Sequence, residues 1–243
     1  MRVLDQAKIE DLLFFDIETA PVAGSFEELS PELQAIWMAK EDKKRPEEVT
    51  NPADWFFDRA GISAEFGRVV CIAIGYFNRG QDGLKLRIKT IAEPDEAILL
   101  QDFQQLLDRF TASKDNFRLC GHNIKEFDIP WLCRRMLINN VPIPSLLDVS
   151  GLKPWEIVHL DTLELWRFGE RRNFTSLRLM AEILGVPTPK DDIDGSEVGR
   201  VFWEEMDLDR ICTYCAKDVK AVADLVLRLK GQKVLEEDQV MLV

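Results

Sequence analysis

Apolar residues fall first in short unbroken runs and later at helical spacing. Leu12-Leu13-Phe14-Phe15-Asp16-Ile17 is a run of aromatic and β-forming residues, which predicts a buried strand. Arg68-Val69-Val70-Cys71-Ile72-Ala73-Ile74-Gly75-Tyr76-Phe77 reads the same way. The turn formers Asn78-Arg79-Gly80-Gln81-Asp82-Gly83 follow, and then Leu84-Lys85-Leu86-Arg87-Ile88 alternates cleanly. The two segments predict an antiparallel hairpin whose second strand has one wet face.

Between the first strand and this hairpin lies a polar, uneven stretch, 21–67. Ser30-Pro31-Glu32 starts a helix there, with the serine hydroxyl as N-cap and proline in the first turn. That helix should run through Ile36-Trp37-Met38 and dissolve in 41–46. The stretch is too long for an ordinary connection, and Trp37, Trp55, Phe56 and Phe57 favour a folded insertion.

Beyond the hairpin the periodicity alternates. A helix is expected over 95–110, with Ile98, Leu99, Phe103, Leu106 and Leu107 as its apolar stripe. A short strand over 117–121 ends in His122-Asn123, and a helix over 128–138 follows. A strand is expected over 157–161, and helices fill the rest, the longest over 208–229. Strands first, then strand–helix alternation and a helical tail predict an α/β fold, a sheet flanked by helices. We read 1–243 as a single domain carrying the insertion at about 21–67.

Composition narrows the classes. With 46% apolar residues and no long depleted stretch, most of the chain should fold. No apolar run approaches the ~20 residues of a membrane span, and acids precede the first apolar run, unlike a secretory signal. The expected location is cytoplasmic, with no membrane partner. A formal net charge of −12 opposes a protein that coats nucleic acid through many Lys and Arg contacts. It weighs less against a protein whose bound divalent cations supply positive charge locally. Cys71, Cys120, Cys133, Cys212 and Cys215 are odd in number and lie in apolar strings, as expected of reduced thiols. Cys212 and Cys215 have the spacing of a zinc or redox half-site but lack a second pair and a nearby histidine. No glycine-rich loop follows the first strand, which argues against a dinucleotide-binding dehydrogenase.

Three constellations carry candidate chemistry. Asp16 and Glu18, at i and i+2 on a strand, project from one face at the expected end of that strand. Paired carboxylates repel, and a cation between them relieves the repulsion. Gly121-His122-Asn123 leads to Asp128-Ile129-Pro130 at a helix start, where an acid also simply complements the helix terminus. Tyr214 and Asp218 share one face of the long helix, which also offers Ile211, Val222, Leu225 and Leu229 to a core, where Tyr214 would equally serve as a core-edge aromatic with a wet hydroxyl.

In this order the motifs resemble those of the 3′–5′ exonucleases named for four acids, Asp-Glu-Asp-Asp, on an RNase H-like fold. The resemblance is nearest to the exonuclease domain of family-B DNA polymerases and its stand-alone predicted relatives. It rests on Phe15-Asp16-Ile17-Glu18-Thr19, Asn123-x-x-x-Phe127-Asp128-x-Pro130 and Tyr214-x-x-x-Asp218, with Thr175-Ser176-Leu177-Arg178-Leu179 and Leu184-Gly185-Val186-Pro187. Tyr214, four residues before the last aspartate, places the chain in the tyrosine branch.

The resemblance implies two-metal hydrolysis of phosphodiester bonds at single-stranded DNA 3′ ends, releasing nucleoside 5′-monophosphates. Asp16, Glu18 and Asp218 would share one cation, Asp16 and the more remote Asp128 a second, and Tyr214 would orient the attacking water. An all-oxygen ligand set fits Mg2+ or Mn2+, and no soft ligand points to zinc. Thr19, Asn123 and Phe127 match positions near the terminal nucleotides. Arg167, Arg171, Arg172 and Arg178 are the densest basic cluster and candidates for phosphate contacts, with Arg134 and Arg135 weaker ones. An exoribonuclease of the same chemistry and a non-catalytic nucleic-acid-binding module are the alternatives. No polymerase domain accompanies these motifs, so a proofreading role would need a replication or repair partner or would be absent.

Overall fold

The structure, a computed structural model, describes residues 2–41, 46, 49, 51–81, 83–113, 116–170, 172–187 and 193–243. Its strands are β1 (Leu12–Pro21), β2 (Gly67–Gly80), β3 (Gly83–Ile91), β4 (Arg118–Gly121), β5 (Leu160–Asp161) and β6 (Val240–Leu242). They form one sheet in the order β5-β4-β1-β2-β3-β6. β2 is antiparallel to β1 and β3, whereas the β1–β4, β4–β5 and β3–β6 pairs are parallel. The helices are α1 (Arg2–Asp5), α2 (Pro31–Glu41), α3 (Pro52–Arg59), α4 (Glu96–Ser113), α5 (Asp128–Ile138), α6 (Thr162–Arg167), α7 (Leu177–Leu184), α8 (Val198–Arg200) and α9 (Leu208–Leu229). This is the expected mixed sheet flanked by helices.

The core has two layers because side chains of β1 alternate across the sheet. Leu12 and Phe14 join Ala73, Leu86, Val219, Val222 and Val226 on the α9 side. Leu13, Phe15 and Ile17 join Ile72, Ile74, Leu99, Phe103 and Leu132 on the α4 and α5 side. A strand buried on both faces reads as a continuous apolar run, which is why Leu12 to Phe15 shows no alternation in sequence.

Several boundaries differ from expectation. β1 extends to Pro21, because its ladder with β2 continues past a bulge between Glu18 and Thr19. On α4, Ile98 is exposed, whereas Leu100, two residues on, joins Leu99 in the core. The strand expected over 157–161 contracts to two residues.

Ser30 caps α2 as expected, its hydroxyl accepting from the Leu33 amide at 3.2 Å. The expected dissolution of that helix falls largely on residues 42–45, outside the described residues. Leu29, Trp37, Phe56, Ala60 and Phe66 form a separate small core in the stretch between β1 and β2. There Trp37 meets Phe56 and Phe66 edge-on, with centroids 5.2 and 5.0 Å away. No helix among the described residues is long and apolar enough to cross a membrane.

One buried ion pair ties the helices of the α4 and α5 side to the sheet. Arg135 on α5 donates to both oxygens of Glu96 on α4, at 2.9 and 2.5 Å, and to the Ala64 carbonyl at 2.9 Å. Glu96 also accepts from the Val69 amide of β2 at 2.8 Å and from Asn139 at 3.0 Å. Arg135 is therefore a structural residue and not a phosphate contact. Removing one partner strands a buried charge, so Glu96→Ala should destabilise the fold by about 3–5 kcal/mol. Urea denaturation checks this; a loss below about 1 kcal/mol, the level of an exposed pair, would refute it.

Candidate metal centre

Asp16 and Glu18 have the strand parity of Leu12 and Phe14, so they face α9. β4 pairs with β1 only along Leu12 to Phe14 and ends at Gly121. The acids therefore sit mid-strand rather than at the expected strand end, but beyond the reach of the parallel neighbour. Into the space left by β4 comes the start of α5, whose first residue is Asp128. Asp218 reaches the same point from the middle of α9, one turn after Tyr214.

The sheet and two helices thus bring the four acids together. Burial, followed by the charges of Glu18, Asp128 and Asp218, holds the Asp16 carboxyl well above the usual range. Glu18 is raised by burial and then by Asp218 and Asp128. Asp128 is pushed up to about 7, chiefly by burial, although backbone hydrogen bonds from its own residue and Ile17 act in the opposite direction. Glu18 is only 6% exposed, and among the described residues no hydrogen bond or ion pair reaches its carboxylate. A buried carboxylate surrounded by acids is costly as an anion unless a cation joins it. This donor set therefore fits divalent cations, and Asp16, Glu18, Asp128 and Asp218 are the residues that could hold them.

A second acid fixes the loop that delivers Asp128. Asp161 is buried at the start of α6 and accepts from the amides of Leu163 and Glu164 as its N-cap. It also accepts from the amides of Asn123 and Lys125, at 2.9 and 3.1 Å. Asn123 takes φ 65°, a left-handed conformation that asparagine tolerates. Gly121 has no room for a side chain: a Cβ there would lie 2.1 Å from Ile124 Cγ2 and 2.8 Å from the Phe15 carbonyl. His122 bonds Thr162 and the Thr175 carbonyl, and His159 bonds the Leu119 amide and Leu146 carbonyl. Both histidines are committed to the fold.

The other candidate residues are more dispersed. The Thr19 hydroxyl donates to the Gly61 carbonyl at 2.6 Å. Phe127 is half-buried against the α4 and α5 core, and Asn123 is half-buried beside it in sequence. Arg167 pairs with Glu126 at 3.3 Å and donates to the Asn173 carbonyl. Arg172 is exposed, and Arg178 is exposed on α7. Arg171 lies outside the described residues.

Three features escaped sequence reasoning. Asp161 carried a signal, an Asp-Thr cap before a helical pattern, but nothing tied it to the Asn123 loop. Phe168 and Phe174 are 78% and 64% exposed, and Phe174 lies edge-on to His122 at 6.3 Å. Cys215 is wholly buried, and its thiol donates to Asp16 Oδ2 at 3.6 Å, a contact between α9 and β1 that nothing local in the sequence signals.

A mixed six-stranded sheet flanked by helices, with acids gathered beyond the end of β4, defines an α/β protein of the RNase H-like class. Its family model is described as a predicted 3′-5′ exonuclease related to the exonuclease domain of PolB and matches residues 62–236, so the chain belongs to that family. The matched span contains Asp128, Tyr214 and Asp218, whereas Asp16 and Glu18 precede it. The family B DNA polymerase from the hyperthermophilic archaeon Pyrobaculum calidifontis has a similar fold, with a TM-score of 0.54 at 18% identity over 90% of this chain. The chain spans 24% of that polymerase. No curated protein matches it.

The raised carboxyl pKa values make a signed prediction for the metal-free protein. Below the ordinary value of 3.8, Asp128 is protonated both folded and unfolded. As pH rises towards about 7 the unfolded chain ionises first, so this group's contribution to stability is lost. His122 and His159, whose pKa values are lowered by burial, act in the opposite direction below 6.5. The carboxyl effect is therefore read as a difference between variants. In EDTA, Asp128→Asn should gain stability relative to wild type between pH 4 and 7, and added Mn2+ should favour wild type. A pH-independent difference in urea denaturation would refute this.

Proposed function

We propose that the chain is a metal-dependent 3′→5′ exonuclease acting on single-stranded DNA ends and releasing nucleoside 5′-monophosphates. The observation that carries this reading is the meeting of four acids from β1, α5 and α9, with a buried Glu18 carboxylate raised by burial and then by the charges of Asp218 and Asp128. Membership of a family related to a polymerase exonuclease domain supports the same chemistry. The proposed ligands are Asp16, Glu18, Asp128 and Asp218, and the proposed cations are Mg2+ or Mn2+. Two such cations, when bound, polarise the scissile phosphate and acidify the attacking water.

Asp16 feels each of the other three acids, which suits it to bridge. Tyr214 is assigned to orient the attacking water through its phenol hydroxyl. Thr19, Asn123 and Phe127 are assigned to the terminal nucleotides, and Arg167, Arg171, Arg172 and Arg178 to phosphates. Exposed Phe168 and Phe174 add faces on which bases can stack. We treat 1–243 as one domain and 21–67 as an insertion that guides the strand past Glu18.

The test is mononucleotide release from 5′-labelled single-stranded DNA with Mn2+, Mg2+ or EDTA. The labelled strand should shorten in a ladder from its 3′ end, and EDTA or Asp16→Ala should abolish the ladder. Tyr214→Phe should lower kcat by about 10²-fold with little change in KM. A parallel RNA strand tests the choice of sugar. A folded, Mn2+-bound protein that releases nothing from either strand would make the chain a binding module instead.

A further inference from the structure

We propose that the acid pocket has a second, antagonistic cation mode: a soft divalent cation of the zinc class, held by Asp16, Glu18 and the Cys215 thiolate. This rests on the reading of Asp16 and Glu18 as cation ligands and adds the sulfur. One donor atom from each of the three residues lies within 4.8 Å of each of the others. The Cys215 sulfur is 3.6 Å from Asp16 Oδ2 and 3.5 Å from the Asp16 carbonyl. Across a tetrahedral zinc, with bonds of ~2.3 Å to sulfur and ~2.1 Å to oxygen, sulfur and oxygen stand about 3.6 Å apart. That pair is already at coordination spacing. Independently, Glu18 is only 6% exposed and no hydrogen bond reaches its carboxylate among the described residues, so as an anion it would gain from a cation at this point.

Helix geometry puts the thiol here. Cys215 and Asp218 are three residues apart on α9, so both face β1. Cys71 stands opposite Glu18 in the β1–β2 register, with its sulfur 3.5 Å from that of Cys212. A layer of thiols therefore backs the acids. Thiolate ligands select zinc or cadmium over magnesium, which prefers six oxygens including water. Binding would release the Cys215 proton to solvent. A tetrahedral ion using Asp16 and Glu18 occupies carboxylates that the hydrolytic cations need, so zinc should compete with Mg2+ and Mn2+.

Cadmium is the probe, because its thiolate complexes absorb in the ultraviolet through charge transfer. One equivalent of Cd2+ added to the metal-free protein should produce that band and displace Mn2+ observed by electron paramagnetic resonance. Cys215→Ala and Cys215→Ser should lose the band and retain Mn2+ binding. Their Cd2+ affinity should fall by at least the roughly 10–100-fold that follows loss of an outer-shell partner. Cd2+ binding without the band, or a band surviving in both Cys215 variants, would overturn the sulfur ligand while leaving the carboxylate site intact. Failure of folded wild type to bind either Mn2+ or Cd2+ would overturn the cation site itself.

Discussion

The structure is organised around an electrostatic conflict, because acids are held against one another midway along β1, just past its hydrophobic run. β1 gives four consecutive residues wholly to the core before Asp16, which anchors the strand between two layers of helix. The alternation that sends Leu12 and Phe14 towards α9 also sends Asp16 and Glu18 there, so packing on one part of the strand fixes the direction of the acids on the next. No conformational adjustment of β1 can turn them to water without turning its apolar residues out as well. The repulsion therefore persists in the metal-free fold and is relieved by protons or by cations.

Maintaining that conflict requires rigid delivery from both sides. On the α5 side, Asp128 is positioned from two directions: Asp161 ties down the preceding loop, and the Glu96–Arg135 pair anchors the helix itself. The absence of a side chain at Gly121 lets that loop turn tightly against the Phe15 carbonyl. On the other side, α9 is packed along the sheet by Val219, Val222 and Val226. Asp218 and Cys215 are carried on a helix too well buried to drift. The site is thus set by elements rather than by mobile loops.

Much of this was legible in the sequence, for physical reasons. The hairpin is marked by its apolar runs and turn formers, helices α5 and α9 by apolar period, and the three acidic motifs by their order. What stayed hidden depended on contacts distant in sequence. The length of β1 came from pairing with β2 beyond Ile17, which local composition does not show. The work of Asp161 on the Asn123 loop, 38 residues away, needed the β4–β5 pairing. Cys215 looked like half of an incomplete pair with Cys212, whereas its neighbour in space is Asp16, 199 residues away. The arginines read as one cluster in sequence, yet Arg167 is paired with Glu126 while Arg178 lies exposed on α7.

Net charge then constrains how such a site can meet a polyanion. At −12 the chain repels nucleic acid at long range, and its half-buried Arg167 is already paired with Glu126. Attraction must therefore be local. Two divalent cations would bring about four positive charges to the acids, where the phosphate has to sit. Exposed aromatics such as Phe168 and Phe174 offer bases a contact that does not depend on charge. Stacking of this kind needs unpaired bases, and attraction confined to one point favours a chain end over a long duplex. The acidity of the protein and the single-stranded terminus proposed as its substrate follow from the same electrostatics.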